Sequence, residues 1–350
     1  MTPLSNDTLK ALTIRIRQLG WSETHAQELF RQIHRYGVHS TDGLPARRLP
    51  DSMLNWLRGQ RFKEDLSWES HQSIDGSVKY IHTLSDGFRV ESVYMPSSHR
   101  DTICLSSQAG CAMGCGFCAT ARMGLKKNLR PSEIIHQVDT VVLDQRIPAG
   151  RQKRLNLMFM GMGEPLHNLN LVMRAFTILT DRHGLGIPEK DIGISTCGLV
   201  PGIRKLAQYE KRPCLMISLG AMDDTTRTKL MPVNNKWPLE TLLDCLKQYP
   251  LRKRERLMLS YVLIKGQNDT REDAVRLSEF AGELNCLVNL IPYNAHELAT
   301  DLMEPEEQTI QFFYRTLLEA GVFCTIRRSR GRDIAGACGQ LVQRVPRESA

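Results

Sequence analysis

Residues 102–118 read TICLSSQAGCAMGCGFC. The stretch opens on a short β-prone run, 102–105. It passes through small loop residues and ends on three cysteines spaced C-x3-C-x2-C, at Cys111, Cys115 and Cys118. From here to the C-terminus the chain alternates between short apolar runs and longer helical periods. The spacing predicts strands at 102–105, 155–160, 192–196, 215–219, 257–264, 287–291 and 323–327. It predicts helices at 132–143, 169–180, 202–209, 239–248, 271–284 and 306–320. Each helix is long enough for a right-handed crossover between parallel strands. Six such units fall short of the eight of a closed barrel. The expected architecture is α/β, a partial (β/α)6 barrel.

Upstream, Leu9, Leu12, Ile16 and Leu19 recur at helical spacing, and Ala26, Leu29, Phe30 and Ile33 follow Ser22. Residues 70–95 alternate and turn at Asp75-Gly76 and Asp86-Gly87, which predicts a small hairpin or meander. The expected division is an N-terminal accessory region of helices and small strands over 1–95, a core over 96–342 and a tail over 343–350.

In parallel-sheet folds the chemistry sits at the C-terminal ends of the strands. The unusual residues fall there. The cysteine loop follows the first strand and Gly161-Met-Gly163-Glu164 the second. Ser195 ends the third, Ser218 the fourth, and Asn294 follows the strand at 287–291.

The chain holds ten cysteines, at 104, 111, 115, 118, 197, 214, 245, 286, 324 and 338. Their uneven spacing in a long chain without an export signal argues against a disulfide framework. Three thiolates in one loop suit a metal centre. Zinc would want a fourth ligand, for which Cys104 is available. A [4Fe–4S] cluster held by three cysteines keeps one iron open for a small molecule. The formal charge of +8 suits a polyanionic partner. No apolar run approaches the ~18 residues of a membrane span. Apolar residues at 41% can build an ordinary core, which excludes wholesale disorder.

Five segments carry a closer likeness: CLSSQAGCAMGCGFCATARMGLKKNLRPSEIIHQV, FMGMGEPLHNLN, KLMPVN, NLIPYN and RGRDIAGACGQL. They resemble the RlmN/Cfr family of radical S-adenosylmethionine RNA (adenine) methyltransferases. The resemblance implies that Cys111, Cys115 and Cys118 hold a [4Fe–4S] cluster. Its open iron takes the amino and carboxylate groups of S-adenosylmethionine. Gly163, Glu164, Ser195, Ser218 and Asn294 match the family's cofactor contacts. Cys338 matches the cysteine that accepts a methyl group and, as a methylene radical, adds to an adenine carbon. Cys104 matches the cysteine that releases the product as a disulfide forms. Glu91 matches the proposed base that removes the ring proton.

The implied substrate is adenosine in 23S ribosomal RNA, at C2. The family also holds members that modify transfer RNA and members that act at C8 and confer antibiotic resistance. Other implied properties are an external electron donor such as flavodoxin or ferredoxin, a monomer, and a reducing cytoplasm. A reading of another class is a non-catalytic Fe–S or zinc RNA-binding protein. Basic runs at Lys126/Lys127, Arg151/Lys153/Arg154, Arg252/Lys253/Arg254/Arg256 and Arg327/Arg328/Arg330/Arg332 are candidate RNA contacts. The last, leading to Cys338, is the favoured one. Four departures from the family pattern stand out: Gly220 where histidine is usual, Ser260 for glutamate, Ala295-His296 for an Asn-Pro turn, and Cys197.

Overall fold

The computed structural model describes residues 2–45, 47–64, 66–147 and 154–342. Arg151, Lys153 and the 343–350 tail lie outside the described residues. Helix α1 (Leu9–Gln18) starts at Thr8, whose hydroxyl accepts from the Ala11 N–H. Helix α2 (Glu23–His34) starts at Ser22 in a capping box with His25. Their expected apolar stripes pack inward: Leu12, Ile16, Ala26, Leu29, Phe30 and Ile33 are fully buried, while Leu19 is exposed. A short helix α3 (Asp51–Leu57) completes the cap.

Strands β1 (Ser67–Gln72), β2 (Val78–Thr83) and β3 (Arg89–Met95) form the expected antiparallel meander. Its turns place Gly76 and Gly87 at φ +82° and +81°, where an L side chain is disfavoured. The meander is not a separate sheet. Strand β3 pairs antiparallel with β4 (Arg100–Cys104), with Val93 opposite Cys104. The accessory strands and the barrel strands thus share one hydrogen-bonded ladder.

From β4 the sheet is parallel through β5 (Arg154–Phe159), β6 (Ile192–Thr196), β7 (Cys214–Ser218), β8 (Leu257–Leu263), β9 (Cys286–Pro292) and β10 (Cys324–Ile326), in sequence order. The joining helices are α4 (Pro131–Asp144), α5 (Leu169–Thr180), α6 (Val200–Ala207), α7 (Asp224–Leu230), α8 (Leu239–Lys247), α9 (Arg271–Gly282) and α10 (Glu307–Glu319). The expected elements are all present. Helix α7 is an addition that apolar periodicity did not show, because DTTRTKL carries only one apolar residue.

Alternation along the strands sends one set of side chains into the barrel. Thr102, Cys104, Met158, Ser195, Met216, Ser218, Met258 and Ser260 share that face by register. Gly193 is needed among them. A Cβ there would lie 2.7 Å from Met158 Sδ and 2.8 Å from Met216 Cε. Among the described residues, no helix is long and apolar enough to cross a membrane.

Candidate active site

The loop after β4 carries Cys111, Cys115 and Cys118. Gly116 N–H donates to Leu230 O at 2.9 Å, which ties the loop to the end of α7. Its far side is held by the C-terminal segment. Ala119 N–H donates to Gly339 O at 2.8 Å, and Thr120 Oγ1 to Leu341 O at 2.6 Å. Burial pushes the Cys111 thiol up to about 12. Burial also raises Cys115, and the neighbouring Cys118 and Cys111 raise it further. Cys118 is raised mainly by burial, with Cys338 adding to it. Three close thiols, one buried and two half-buried, resist ionising together unless a positive centre shares the charge, so the donor set fits an iron–sulfur cluster. Among the described residues no three His, Cys, Asp or Glu side chains converge on a point that would hold one metal ion. A four-iron cube spreads its thiolates wider than one tetrahedral ion does.

Gly163 and Glu164 follow β5. Gly163 has φ +98°, and a Cβ there would lie 2.5 Å from Gln108 Cβ. Gln108 in turn accepts from Glu164 N–H at 2.8 Å. The Glu164 carboxylate is buried. It accepts from the backbone N–H groups of Leu166 (3.0 Å) and Cys197 (2.9 Å). Burial raises its pKa, and those two hydrogen bonds work the other way. The side chains of Cys197 and Thr196 also hydrogen-bond the carboxylate. Glu164 also lies within electrostatic reach of Cys111 and Cys115.

Inside the barrel mouth, a cavity of about 130 Å³ brings together Ser195, Ser218 and Asn294 with Cys118 and Cys338. Gly163 and Glu164 do not line it. Ser260 and Tyr293 do, and both hydroxyls are buried without a hydrogen-bond partner among the described residues. Sequence reasoning marked Ser260 only as a departure and passed over Tyr293.

A second cavity, about 270 Å³, lies beside the first. Cys104, Cys338, Arg100, Arg327, Arg328 and Arg330 line it. Cys338 and Met160 line both cavities. Burial pushes the Cys104 thiol up to about 12, with Cys338 adding to the shift and Arg327 opposing it. The groups acting on Cys104 do not include a loop cysteine. Cys104 and Cys338 line this cavity together.

Glu91 is fully buried on β3 and lines neither cavity. Alternation puts it on the strand face of Val93 and Met95, behind Cys104. Its carboxylate pairs with the buried Lys79 ammonium at 3.4 Å.

The basic runs divide. Lys127 is paired with Asp86 and Glu133, and Arg252 with Glu255 and Glu189, so both serve the fold. Arg332 pairs with Glu304, away from the cavities. Arg327, Arg328 and Arg330 border the second cavity, although Arg328 also pairs with Glu307.

All four departures have a local account. Gly220 sits at φ +78°, and a Cβ there would lie 2.3 Å from Met231 Sδ, so no imidazole fits. His296 Nε2 lies 3.0 Å from Phe117 O and ties its loop to the cysteine loop. Ser260 lines the first cavity. Cys197 contributes both its backbone N–H and its thiol to the Glu164 carboxylate.

Buried Arg227 was also missed, although it stands just before the KLMPVN segment. Its guanidinium donates to Leu219 O (2.7 Å), Cys197 O (3.0 Å), Trp237 O (3.3 Å) and Asn234. It fastens the ends of β6 and β7, which carry Ser195 and Ser218.

The family described as the radical SAM superfamily matches residues 105–278. The chain is 43% identical over 331 residues to "Dual-specificity RNA methyltransferase RlmN 2" of Myxococcus xanthus, covering 93% of this chain and 86% of that protein. It is 39% identical over 333 residues to "Dual-specificity RNA methyltransferase RlmN" of Nitratiruptor sp., covering 91% and 92%. The chain belongs to the RlmN family. A crystal structure of a radical SAM methyltransferase from Sphaerobacter thermophilus superposes with a TM-score of 0.90 at 34% identity, covering 98% of this chain and all of that one. The RlmN family's cofactors, a [4Fe–4S] cluster and S-adenosylmethionine, are those of this chain.

Proposed function

We propose that the chain methylates adenosine in 23S ribosomal RNA, at C2, with Cys338 as the methyl carrier. The observation that carries the reading is the position of Cys338 between the two cavities. One cavity joins it to the cysteine loop and the serines, the other to Cys104 and the arginines. When bound, the cluster and S-adenosylmethionine supply a methyl group and a hydrogen-abstracting radical.

Cys111, Cys115 and Cys118 hold the cluster. Glu164 and Asn294 orient the methionyl end of the cofactor, and Ser195 and Ser218 its sugar. The Cys338 sulfur takes a methyl group on the cofactor side and presents it to the base in the arginine-lined cavity. Arg327 and Arg330 supply cationic donors there for the RNA backbone. A base inside that cavity has left its stack.

After carbon–carbon bond formation, a thioether links Cys338 to the base. Glu91, paired with Lys79 and outside both cavity linings, takes the ring proton through an intervening water rather than by direct contact. The unpaired electron that radical addition leaves on the ring returns to the bound cluster. Cys104, as thiolate, then attacks the Cys338 sulfur, the carbon–sulfur bond breaks with its electron pair going to the methylene carbon, that carbon takes a proton, and the base leaves methylated. The resulting disulfide needs two electrons from an outside reductant. Transfer RNA as a second substrate and a flavodoxin or ferredoxin as electron donor belong to the same reading. So do residues 1–95 as an RNA platform, a monomeric state and a cytoplasmic location.

The test is mass spectrometry of adenosines from ribosomal and transfer RNA of a strain lacking the gene and of its parent. Loss of 2-methyladenosine is expected. Loss of 8-methyladenosine instead would move the target carbon, and an unchanged profile would overturn the proposal.

A further inference from the structure

The loop that carries Cys338 is stitched to the turn between β1 and β2, far away in sequence. Ser73 Oγ donates to Asp333 Oδ1 at 2.5 Å, and Ile74 N–H to Asp333 Oδ2 at 3.1 Å. The return contact has the same form. Gly331 N–H donates to Asp75 Oδ2 at 2.8 Å. Arg330 donates to Asp75 O at 2.5 Å and to Pro96 O. Each carboxylate therefore accepts from the other segment's backbone. The Asp75 carboxylate is also built into its own turn, where Ser77 N–H donates to Asp75 Oδ1 at 2.8 Å, and the turn around Asp333 is closed by its backbone, Gly336 N–H to Gly331 O at 2.8 Å. Burial disfavours the charge on Asp75, but the hydrogen bonds from Gly331 and Ser77 outweigh it and hold its pKa near 2.

We propose that Asp75 and Asp333 are positioning residues, a reciprocal clamp by which the accessory hairpin fixes the Cys338 loop at the boundary between the two cavities. The chemistry of the site calls for such a device. Cys338 has to meet a methyl donor on one side, a base on the other, and then Cys104. Its loop is rich in small residues, GRDIAGACG, with Ala335 at φ +49° and Gly331 at φ +67°. A loop of that composition is intrinsically permissive and keeps one path only if it is held at both ends. The cofactor-side end is held by Asn294 Nδ2 to Cys338 O (3.0 Å) and Gln340 Nε2 to Ala295 O (2.8 Å). The clamp holds the other end. It also gives the accessory strands a role in the chemistry besides any in RNA binding, because β1 and β2 carry the turn to the site.

The inference rests on the methyl-carrier reading for its purpose, but its thiol measurements do not. The cluster-loaded Asp333→Ala, Asp75→Ala/Asp333→Ala and Asp333→Asn proteins would be compared with the parent. The first readout is the rate of iodoacetamide alkylation of Cys338 against Cys104, followed by peptide mass spectrometry across pH. The second is the equilibrium of the Cys104–Cys338 disulfide with dithiothreitol. Releasing the clamp should speed Cys338 alkylation and weaken the disulfide, each by about fivefold per hydrogen bond lost. Asp333→Asn, which keeps one acceptor, should fall between. Iron content should not change.

Alkylation and disulfide equilibrium both within about twofold of the parent in the double variant would overturn the clamp. A shifted pH profile with an unchanged disulfide equilibrium would reduce Asp333 to an electrostatic influence and also overturn it. Should the double variant fail to fold, Ser73→Ala with Asp333→Asn carries the same measurements. Lower methyl occupancy of Cys338 in the variants would tie the clamp to the carrier reading. Absence of methyl from Cys338 in the parent itself, beside altered thiol behaviour in the variants, would leave the clamp standing and count against the carrier role.

Discussion

Gly163→Ala should damage cofactor binding and stability through one identifiable contact. Gly163 has φ +98°, and an added Cβ would lie 2.5 Å from Gln108 Cβ, 2.8 Å from its Cγ and 2.9 Å from its N. A left-handed backbone with a Cβ costs about 1–2 kcal/mol. Forcing a carbon into a filled site costs about 1–3 kcal/mol more. Gln108 cannot simply swing aside. Its amide nitrogen lies 2.7 Å from Asn128 Oδ1 and 3.1 Å from His167 Nδ1, and its oxygen accepts from Glu164 N–H at 2.8 Å. Losing the Glu164 contact adds about 1 kcal/mol and frees the carboxylate to move. The total is about 3–6 kcal/mol.

Gly20 supplies the control. It has φ +87° and nothing within 4 Å of its added Cβ. Gly20→Ala therefore isolates the backbone cost, and the difference between the two variants is the packing at Gln108. Urea unfolding followed by tryptophan fluorescence gives both values. Equilibrium dialysis of S-adenosylmethionine against the cluster-loaded proteins gives the second readout. Gly163→Ala should bind the cofactor at least ~10-fold more weakly, the factor that goes with 1.4 kcal/mol of misplacement, and Gly20→Ala should bind it normally. Equal destabilisation by the two substitutions, with unchanged cofactor binding in both, would refute the reasoning.

Cys104→Ala should leave methyl loading and addition intact and block release, so RNA should accumulate covalently on Cys338. Denaturing gel electrophoresis after turnover with labelled RNA checks this, and a free-RNA band alone counts against the resolving role. The Cys104 thiol, pushed up to about 12 by burial, should be almost wholly protonated near neutrality. Its alkylation should therefore accelerate about tenfold per pH unit from about pH 8 to 11, and a plateau below pH 10 would contradict this. Arg227→Met leaves the carbonyls of Leu219, Cys197 and Trp237 buried without their donor. It should cost about 3–5 kcal/mol in the same urea assay. Ser260→Ala should weaken S-adenosylmethionine binding by about 2–10-fold, one net hydrogen bond, with urea stability unchanged. An unaltered dialysis curve would show that the orphan hydroxyl does not meet the cofactor.

The crossover architecture was legible because each strand is a compact apolar run and each helix long enough to show its period. Helix α7 escaped because its inward side is Arg227, whose burial is made possible by carbonyls from three other segments. No periodicity reports that. The cysteine loop was legible from spacing alone. The partnership of Cys104 with Cys338 was not, since 233 intervening residues carry no local sign of it; it came only from the family resemblance. Charge was the weakest guide. Arg327, Arg328, Arg330 and Arg332 look alike in sequence, yet their surroundings separate them. Arg330 reaches the hairpin, Arg332 pairs with Glu304, and only the first three border the cavity.

The position of Cys338 explains why two distant parts of the chain converge on one loop. A carrier that works on two sides cannot sit on a barrel strand, because a strand side chain points to one fixed face. A free loop would reach both sides but would lose the proximity that makes a second reaction effectively unimolecular. Here a flexible nine-residue tract is pinned on the cofactor side by Asn294 and Gln340 and on the hairpin side by Asp75 and Asp333. The barrel supplies the first anchor and the accessory sheet the second. Continuity of the ladder through the Val93–Cys104 pair fixes the two anchors relative to one another. The proposed clamp would thus make the meander a support for the Cys338 loop, since its β1–β2 turn is hydrogen-bonded to that loop.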